Sequence, residues 1–236
     1  MALRCGLAAL TAVRHGQSTA NVLFAEAGKT KSTDVLLEGG DAQVPLSGLG
    51  RQQARAAGRW LAALSPADSP ELVLCSPYQR ALETWDRMLT AARETGYTPP
   101  PTLVDERLRD REMGIFELLP PPAAIGAQAP HEAARRERTG EWYYRPPGGE
   151  SLADVTVRTR DFLRDLHDSA TGRRVMVIAH DAVVVAIRHA LAGLGSPAPD
   201  APPVPNASIS RWDGDGTHLH LTDFGTITHL EELSPP

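Results

Sequence analysis

Three short apolar segments of the chain each lead directly to basic or imidazole side chains. These side chains are Arg14 and His15 after the first segment, Arg80 after the second, and His180 at the end of the third. Together they could surround a phosphoryl group, whose negative charge is spread over three oxygens and is stabilised by donors on several sides. Arginine can also bond two of those oxygens at once. The four residues therefore predict a phosphoryl-binding site, provided that the fold brings them together.

The residues that follow His15 could complete such a site. Gly16 has no Cβ, so the backbone there can pass close to a ligand. The side chains of Ser18 and Asn21 could add neutral hydrogen-bond donors. An anion-binding loop is therefore predicted directly after the first apolar segment.

The three apolar segments are typical of strands in a parallel sheet. Residues 7–13, 71–76 and 174–180 are short and rich in Val, Ile and Leu, without the alternation of a half-exposed strand. That pattern indicates strands that are buried on both faces. In open parallel sheets, ligands bind outside the carboxyl ends of the strands. Three separate strand ends are therefore expected to deliver the four side chains to one rim of the sheet.

Amphipathic helical segments lie between these strands. One covers residues 47–64 and opens on Ser47, one covers 79–96 and ends at a glycine, and one covers 151–168 and opens on Ser151. Serine is a common N-cap, and glycine commonly ends a helix. Strands that alternate with helices predict an α/β fold: a three-layer α/β/α sandwich with a mostly parallel sheet and helices on both faces.

Two segments interrupt this alternation. Residues 24–45 carry a cluster of charges and a Gly-Gly pair, and residues 115–149 carry proline clusters around a short helical stretch at 131–142. Long connections inside a compact domain are often binding loops or lids. We expect both insertions to form loops or a lid over the site. Near the carboxyl end, alternation over 207–212 and 218–230 predicts strands toward the edge of the sheet.

The composition predicts one soluble, cytoplasmic domain spanning residues 1–236. The chain is 42% hydrophobic and has a formal charge of −5 at pH 7, so neither a nucleic-acid nor a membrane partner is expected. No apolar stretch approaches the roughly 20 residues that span a bilayer. Cys5 and Cys75 lie in or beside apolar segments, which favours buried thiols over a disulfide framework.

These motifs together resemble the histidine phosphatase superfamily, also called phosphoglycerate mutase-like. The matching stretches, in order, are R-H-G at 14–16 with Gln17, Ser18 and Asn21, then P-L-S-G-L-G-R-Q-Q-A at 45–54, S-P-Y-Q-R-A-L-E-T at 76–84, and the histidine that closes a later strand. A lone R-H-G triplet is weak evidence, but this ordered set, spread from residue 7 to about residue 230, is specific. Gln17 stands where an acidic residue is frequent in the family, and its neutral side chain favours an anionic substrate.

The resemblance implies a phosphatase that hydrolyses a small phosphate monoester. His15 would be the nucleophile and would form a phosphohistidine. Arg14, Arg80 and His180 would hold the phosphoryl oxygens, and the loop of residues 16–21 would help to bind the substrate. A carboxylic acid would protonate the leaving alkoxide and then, as a carboxylate, activate water. No metal or other cofactor would be required, because the side chains supply the positive charge.

The resemblance places the acid at Asp110 or Glu112. In the family, the acid lies four residues before the glycine of a Gly-x-aromatic-Glu segment, and in L-R-D-R-E-M-G-I-F-E this spacing selects Asp110. Many members carry glutamate at that position, and Glu112 lies only two residues further on. We favour Asp110 because spacing sets reach, and a side chain shorter by one methylene is easier to accommodate than a shift of two positions. Glu112 is then expected to contact the substrate.

Two alternatives to hydrolysis stay open. A cofactor-dependent phosphoglycerate mutase uses the same histidine but returns the phosphoryl group to its substrate, and the chain has no counterpart of the N-E-R-H-Y-G segment typical of such mutases. A non-catalytic phosphate-binding module would lack a nucleophile or an acid, and both are present here.

Asp181 follows His180 where glycine is common, so we expect it to point away from the site or to cap the helix at 182–193. Sugar phosphates, phosphoglycerates, nucleotides and phosphoproteins are all candidate substrates.

Overall fold

Six strands form one sheet in the computed structural model, which describes residues 2–30, 39–118, 123–193 and 204–233. The strands are β1 (Ala9–Arg14), β2 (Leu72–Cys75), β3 (Thr102–Val104), β4 (Arg174–Ala179), β5 (Ile209–Gly214) and β6 (Leu219–Thr226). Their order in the sheet is β3-β2-β4-β1-β5-β6. The first four strands in that order are parallel, and β5 pairs antiparallel with both β1 and β6. The predicted sheet, mostly parallel with the last strands at one edge, is confirmed.

The register aligns the carboxyl ends of the three predicted buried strands. Arg14, at the end of β1, lies opposite Ala179, at the end of β4. Cys75, at the end of β2, lies opposite Ile178 of β4. The residues that follow these strands therefore leave the sheet side by side at one rim, where open parallel sheets bind ligands.

Helices cover both faces of the sheet. In the described part of the chain they are α1 (Thr19–Thr30), α2 (Gly48–Ala62), α3 (Gln79–Arg93), α4 (Ala123–Gln128), α5 (Pro130–Thr139), α6 (Leu152–Ala170) and α7 (Asp181–Ala192). On one face, buried side chains of α6 and α7 pack against Leu10 and Val177. On the other, buried side chains of α2 and α3 pack against Val13 and Met176. Alternate residues of each strand thus enter different cores, and the three-layer sandwich is confirmed.

Two helices begin at the predicted serine caps. The Ser47 hydroxyl accepts a hydrogen bond from the backbone N–H of Gly50 at 3.0 Å. Ser151 forms a reciprocal capping box with Asp154 at the start of α6. These bonds satisfy N–H groups that have no partner within the helix, so the helices start where the sequence indicates.

The first insertion is more helical than predicted. Residues 24–30, which we expected to begin a long loop, are the last part of α1. The predicted loop also includes residues 31–38, which lie outside the described residues. It continues with the short 3₁₀ turn Asp41–Gln43.

The second insertion contains α4 and α5, and α5 confirms the helical stretch expected at 131–142. Strand β3 was not predicted, because its three residues are all exposed and carry no signal of burial. No helix among the described residues is both long and apolar enough to cross a membrane.

Candidate active site

The structure brings the four strand-end side chains together. The ring centroids of His15 and His180 are 5.1 Å apart, with the rings inclined at 60°. Arg14, His15 and Arg80 line one cavity of about 810 Å³. His180 lies beside it and is fully buried. Two arginines and one imidazole therefore line one space, and the second imidazole packs against the first.

His15 is held in a single tautomer by its own loop. Its Nδ1 lies 2.7 Å from the carbonyl oxygen of Gly16, and a carbonyl can only accept a hydrogen bond, so Nδ1 carries the proton. Burial lowers the pKa of His15 well below its ordinary value, and the neighbouring cationic groups lower it further. The ring is therefore neutral at neutral pH, and Nε2 has a free lone pair.

His180 is oriented by Ser76, a residue that the sequence analysis did not assign to the site. The Ser76 hydroxyl lies 2.8 Å from Nε2 of His180 and accepts the backbone N–H of Tyr78 at 3.3 Å. The hydroxyl thereby fixes the orientation of the ring, whose other nitrogen is Nδ1. That nitrogen faces Asp110, with Nδ1 and Oδ2 3.2 Å apart.

Two carboxylates bind Arg80, whose side chain is only 4% exposed. Asp110 Oδ2 accepts a hydrogen bond from Nη2 at 2.9 Å. Asp41, from the first insertion, accepts from Nη1 at 3.0 Å and from Nη2 at 2.9 Å. Asp41 was missed by the sequence analysis because it lies 39 residues from its partner and matches none of the motifs.

Asp110, rather than Glu112, reaches the centre of the site. One donor atom each from His15, Asp110 and His180 lie within 4.8 Å of one another. Burial alone would raise the pKa of Asp110, but the positive charges of His180 and Arg80 hold it well below its ordinary value. Glu112 lines the cavity, but its half-exposed carboxylate pairs with Arg109 at 3.2 Å. Asp110 is thus the candidate acid that lies beside both histidines, and its role as the acid stays a prediction.

A partly buried ion pair holds the backbone around Asp110. The Arg158 guanidinium donates to the carbonyl oxygen of Asp110 at 2.9 Å and forms a salt bridge with Glu150 at 2.9 Å. Glu150 Oε2 also accepts the backbone N–H of Glu112. Charge-assisted bonds of this kind fix loop geometry, so α6 positions Asp110.

The guanidinium group of Arg14 contacts both the loop before β5 and helix α7. Its Nη1 donates to the carbonyl oxygen of Val204 at 2.5 Å, and its Nη2 lies 3.6 Å from Oδ2 of Asp181. Asp181, which we expected to point away from the site or to cap the helix that follows, lies at the cavity wall. Its charge is compensated by Arg14, and its Oδ1 also accepts the N–H of Ala182 in the first turn of α7.

Ser18 and Asn21 line the cavity, and the side chain of each accepts a hydrogen bond from the backbone N–H of the other. The N–H of Ser18 donates to Asn21 Oδ1 at 3.0 Å, and the N–H of Asn21 donates to Ser18 Oγ at 3.1 Å. This local pairing fixes the start of α1 at the wall of the cavity.

Gly16 and Gln17 are bonded to helices α3 and α2 and are not among the described residues that line the cavity, so their expected contact with substrate stays a prediction. Their backbone N–H groups donate to Thr84 Oγ1 and to Gln53 Oε1. A Cβ on Gly16 would collide with the backbone of Gly50, so the glycine is needed for close packing against α2. The side chain of Gln17 accepts the Ser47 hydroxyl at 2.8 Å.

Both insertions contribute to the wall of the cavity. Phe24 and Phe116 supply apolar surface, and Arg136 and Glu141 supply charge. Glu141 bridges Arg136, at 2.5 Å, and Arg111, at 2.7 Å. Besides the cationic side chains around His15, the cavity therefore has apolar and charged side chains that could contact the rest of a substrate.

His15, Asp110 and His180 are also close enough together to ligate a metal ion. The donor set is chemically suitable, since imidazole and carboxylate groups bind zinc. However, Asp110 Oδ2 is already bound to the Arg80 guanidinium at 2.9 Å, and a second cation there would be repelled. The surroundings favour an anion over a metal ion at this position.

Comparison with known proteins agrees with this geometry. Residues 10–226 match the histidine phosphatase superfamily (branch 1). The chain is 35% identical to fructose-2,6-bisphosphatase TIGAR B of Danio rerio over 159 residues, which cover 67% of this chain and 52% of that protein. It is 31% identical to 2,3-bisphosphoglycerate-dependent phosphoglycerate mutase 2 of Gloeobacter violaceus over 191 residues, 77% of this chain and 74% of that one.

A solved structure extends the similarity to the fold. The structure of mycobacterial glucosyl-3-phosphoglycerate phosphatase Rv2419c with VO3 has a TM-score of 0.71 and 29% identity, and the match covers 92% of this chain and 98% of that one. The sequence match extends over nearly the whole sheet, from β1 to the end of β6. The chain therefore belongs to branch 1 of the histidine phosphatase superfamily.

Proposed function

We propose that the chain hydrolyses small phosphate monoesters through a phosphohistidine at His15. The observation that carries the proposal is the bond from Nδ1 of His15 to the Gly16 carbonyl, which leaves Nε2 as a nucleophile in a buried site. Membership of a family that includes phosphatases supports the same conclusion. Burial and, to a smaller extent, neighbouring cations lower the pKa of the ring, and the cations attract the phosphoryl group that it attacks.

In this proposal Arg14 and Arg80 bind the phosphoryl oxygens, and His180 joins them when its Nδ1, which faces Asp110 in the free site, turns to the bound phosphoryl group. They approach from three strand ends, so charge that develops on three oxygens is met on several sides. Ser18 and Asn21 are at the cavity wall beside them. This preorganised set replaces the water molecules that would otherwise solvate the anion.

The reaction consists of two displacements at phosphorus. Nε2 of His15 attacks, the bond from phosphorus to the ester oxygen breaks, and Asp110 gives its proton to the departing oxygen. Water then attacks the phosphohistidine, Asp110 takes a proton from it, and the bond from nitrogen to phosphorus breaks to release inorganic phosphate and regenerate His15. Each step needs only a nucleophile and a proton carrier.

Asp110 must be protonated when the ester bond breaks. Its pKa is held low by Arg80 and His180, the same groups that bind the phosphoryl oxygens. A bound dianion brings negative charge beside the carboxylate and occupies those cations, and both changes raise the pKa. Substrate binding therefore favours the protonated acid, which takes its proton from solvent.

The cavity is suited to a phosphorylated metabolite. Its volume of about 810 Å³ is in the range that holds a drug-sized molecule. Apolar surface at Phe24 and Phe116, with the Arg136–Glu141 pair, suits a carbon skeleton that carries polar groups. We propose a sugar phosphate or a phosphorylated hydroxy acid as substrate, a class that the names of the relatives also suggest.

Mutase activity is the alternative, because one relative carries that name. It shares the first displacement and differs only in the acceptor of the phosphoryl group. A panel of metabolite phosphates, assayed for release of inorganic phosphate and for isomerised product, separates the two. We expect release of phosphate, whereas isomerisation that depends on a bisphosphate primer would establish the mutase.

We expect turnover to be unaffected by a chelator. The arginines and His180 supply the positive charge, and Arg80 already binds the carboxylate that a metal ion would need. Phosphate release should therefore proceed at the same rate after dialysis against EDTA and with zinc or magnesium added. A chelator-dependent loss of activity that one of these ions restores would contradict the proposal and favour the His15, Asp110 and His180 metal set.

We also propose that the protein works in the cytoplasm. Cys5 and Cys75 are both buried and free, and burial raises the pKa of each thiol. Unpaired thiols are typical of reducing compartments.

A further inference from the structure

We infer that Asp41 competes with the substrate for Arg80, so that a phosphoryl group binds by displacing the Asp41 carboxylate. The inference rests on the proposed function, because it assumes that Arg80 binds the phosphoryl oxygens. Asp41 thereby controls which anions bind at the site.

The hydrogen bonds of Arg80 are the basis of this inference. Nη1 donates to the carbonyl oxygen of Asp41 at 2.7 Å and to its Oδ1 at 3.0 Å. Nη2 donates to Oδ2 of Asp41 and to Oδ2 of Asp110, both at 2.9 Å. Each terminal nitrogen of a guanidinium carries two N–H groups, so all four are occupied. A phosphoryl oxygen can receive a bond from them only if one of the two carboxylates moves.

Asp41 is the carboxylate that can move more easily. Asp110 is bound to His180 as well, its Oδ1 accepts the N–H of Arg111, and its carbonyl oxygen is held by Arg158. Among the described residues, every hydrogen bond of the Asp41 carboxylate goes to Arg80. Burial also raises the pKa of Asp41, although Arg80 opposes this, so its ionised form is held in an unfavourable environment.

The backbone before Asp41 allows such a movement. Gly39 has a φ of +97° and Gly40 follows it, and glycines reach conformations that other residues do not. The N–H of Asp41 donates to Glu117 Oε1 at 2.6 Å. Glu117 belongs to the second insertion and lines the cavity, so movement of Asp41 is coupled to both insertions.

Displacement of a carboxylate favours doubly charged ligands. Asp41 offers Arg80 one negative charge in a two-bond contact, and a phosphate monoester dianion offers two charges with the same fork geometry. A carboxylic acid or a phosphodiester, with one charge, has no such advantage. Asp41 therefore selects phosphate monoesters against other anions.

The test is calorimetric titration with inorganic phosphate at low salt. Asp41→Asn keeps the size of the side chain and removes its charge, and we expect it to bind phosphate about tenfold more tightly than the natural chain, because about 1.4 kcal/mol of competing charge is removed. The matched control is Asp68→Asn. Asp68 pairs with Arg211 at 2.6 Å away from the cavity, so its loss should leave phosphate binding unchanged.

Asp41→Ser is a second variant, and thermal melting shows whether each protein is folded. Equal binding by the natural chain and the folded Asp41 variants, or no binding by any of them, would overturn the inference. Weaker binding by the variants would also overturn it and would make Asp41 a positioning residue for Arg80. The titration measures phosphate binding and does not require turnover. The absence of phosphatase activity and the absence of competition by Asp41 can therefore be distinguished.

Discussion

His15→Ala is expected to lower the turnover of an aryl phosphate by about 10⁴-fold or more, a loss on the order of that seen when an enzyme loses its nucleophile. No other group at the site can take the role. His180 is committed to Ser76 and Asp110, and the guanidinium groups remain charged. Phosphate release by purified protein, measured at saturating substrate, is the readout.

The control for this prediction is His167→Ala. His167 lies on α6, where its Nδ1 accepts a hydrogen bond from the backbone N–H of Gly6 at 3.1 Å. It does not line the cavity, so turnover should be retained. The His15 variant should still bind inorganic phosphate, because Arg14 and Arg80 are unchanged. Turnover of His15→Ala within tenfold of the natural chain would rule out a phosphohistidine at this residue.

Asp110→Asn is expected to lower kcat by about 10²- to 10³-fold for an alkyl phosphate, the range typical of general acid–base catalysis. The loss should be smaller for an aryl phosphate with an acidic leaving group, because such an oxygen departs without a proton. The dependence of kcat on the pKa of the leaving group is the measurement. It should be steeper in the variant than in the natural chain.

Glu112→Gln is the matched control for the acid. Its carboxylate pairs with Arg109 at the cavity wall, so we expect an effect on KM and little change in kcat. If Glu112→Gln caused the larger loss in kcat and Asp110→Asn were nearly silent, the acid would be Glu112. Equal leaving-group dependence in all three proteins would exclude Asp110 from proton transfer.

The sheet and its main helices could be predicted because their signals are local. The uninterrupted apolar residues from 175 to 179 indicated a strand covered on both faces, and β4 is buried in that way. Ser47 and Ser151 indicated helix starts because a cap acts within one turn. Strand β3 lacks such a signal, since Thr102, Leu103 and Val104 are exposed at the edge of the sheet.

The site could be predicted only in part, for a related reason. Parallel strands deliver their carboxyl ends to one rim, so the meeting of Arg14, His15 and His180 follows from topology. No comparable rule predicts which side chains of two loops will meet. The Asp41–Arg80 pair joins an insertion to a helix, and the compensation of Asp181 by Arg14 depends on how α7 leaves β4.

The central claim is that phosphorus undergoes two displacements, the first by His15. The most direct test is the stereochemical course of hydrolysis, followed with a phosphorothioate monoester made chiral by oxygen isotopes and hydrolysed in isotopically labelled water. Each in-line displacement inverts phosphorus, so a phosphohistidine route gives overall retention of configuration. Retention is the result we predict, and inversion, which marks direct attack by water, would contradict the mechanism.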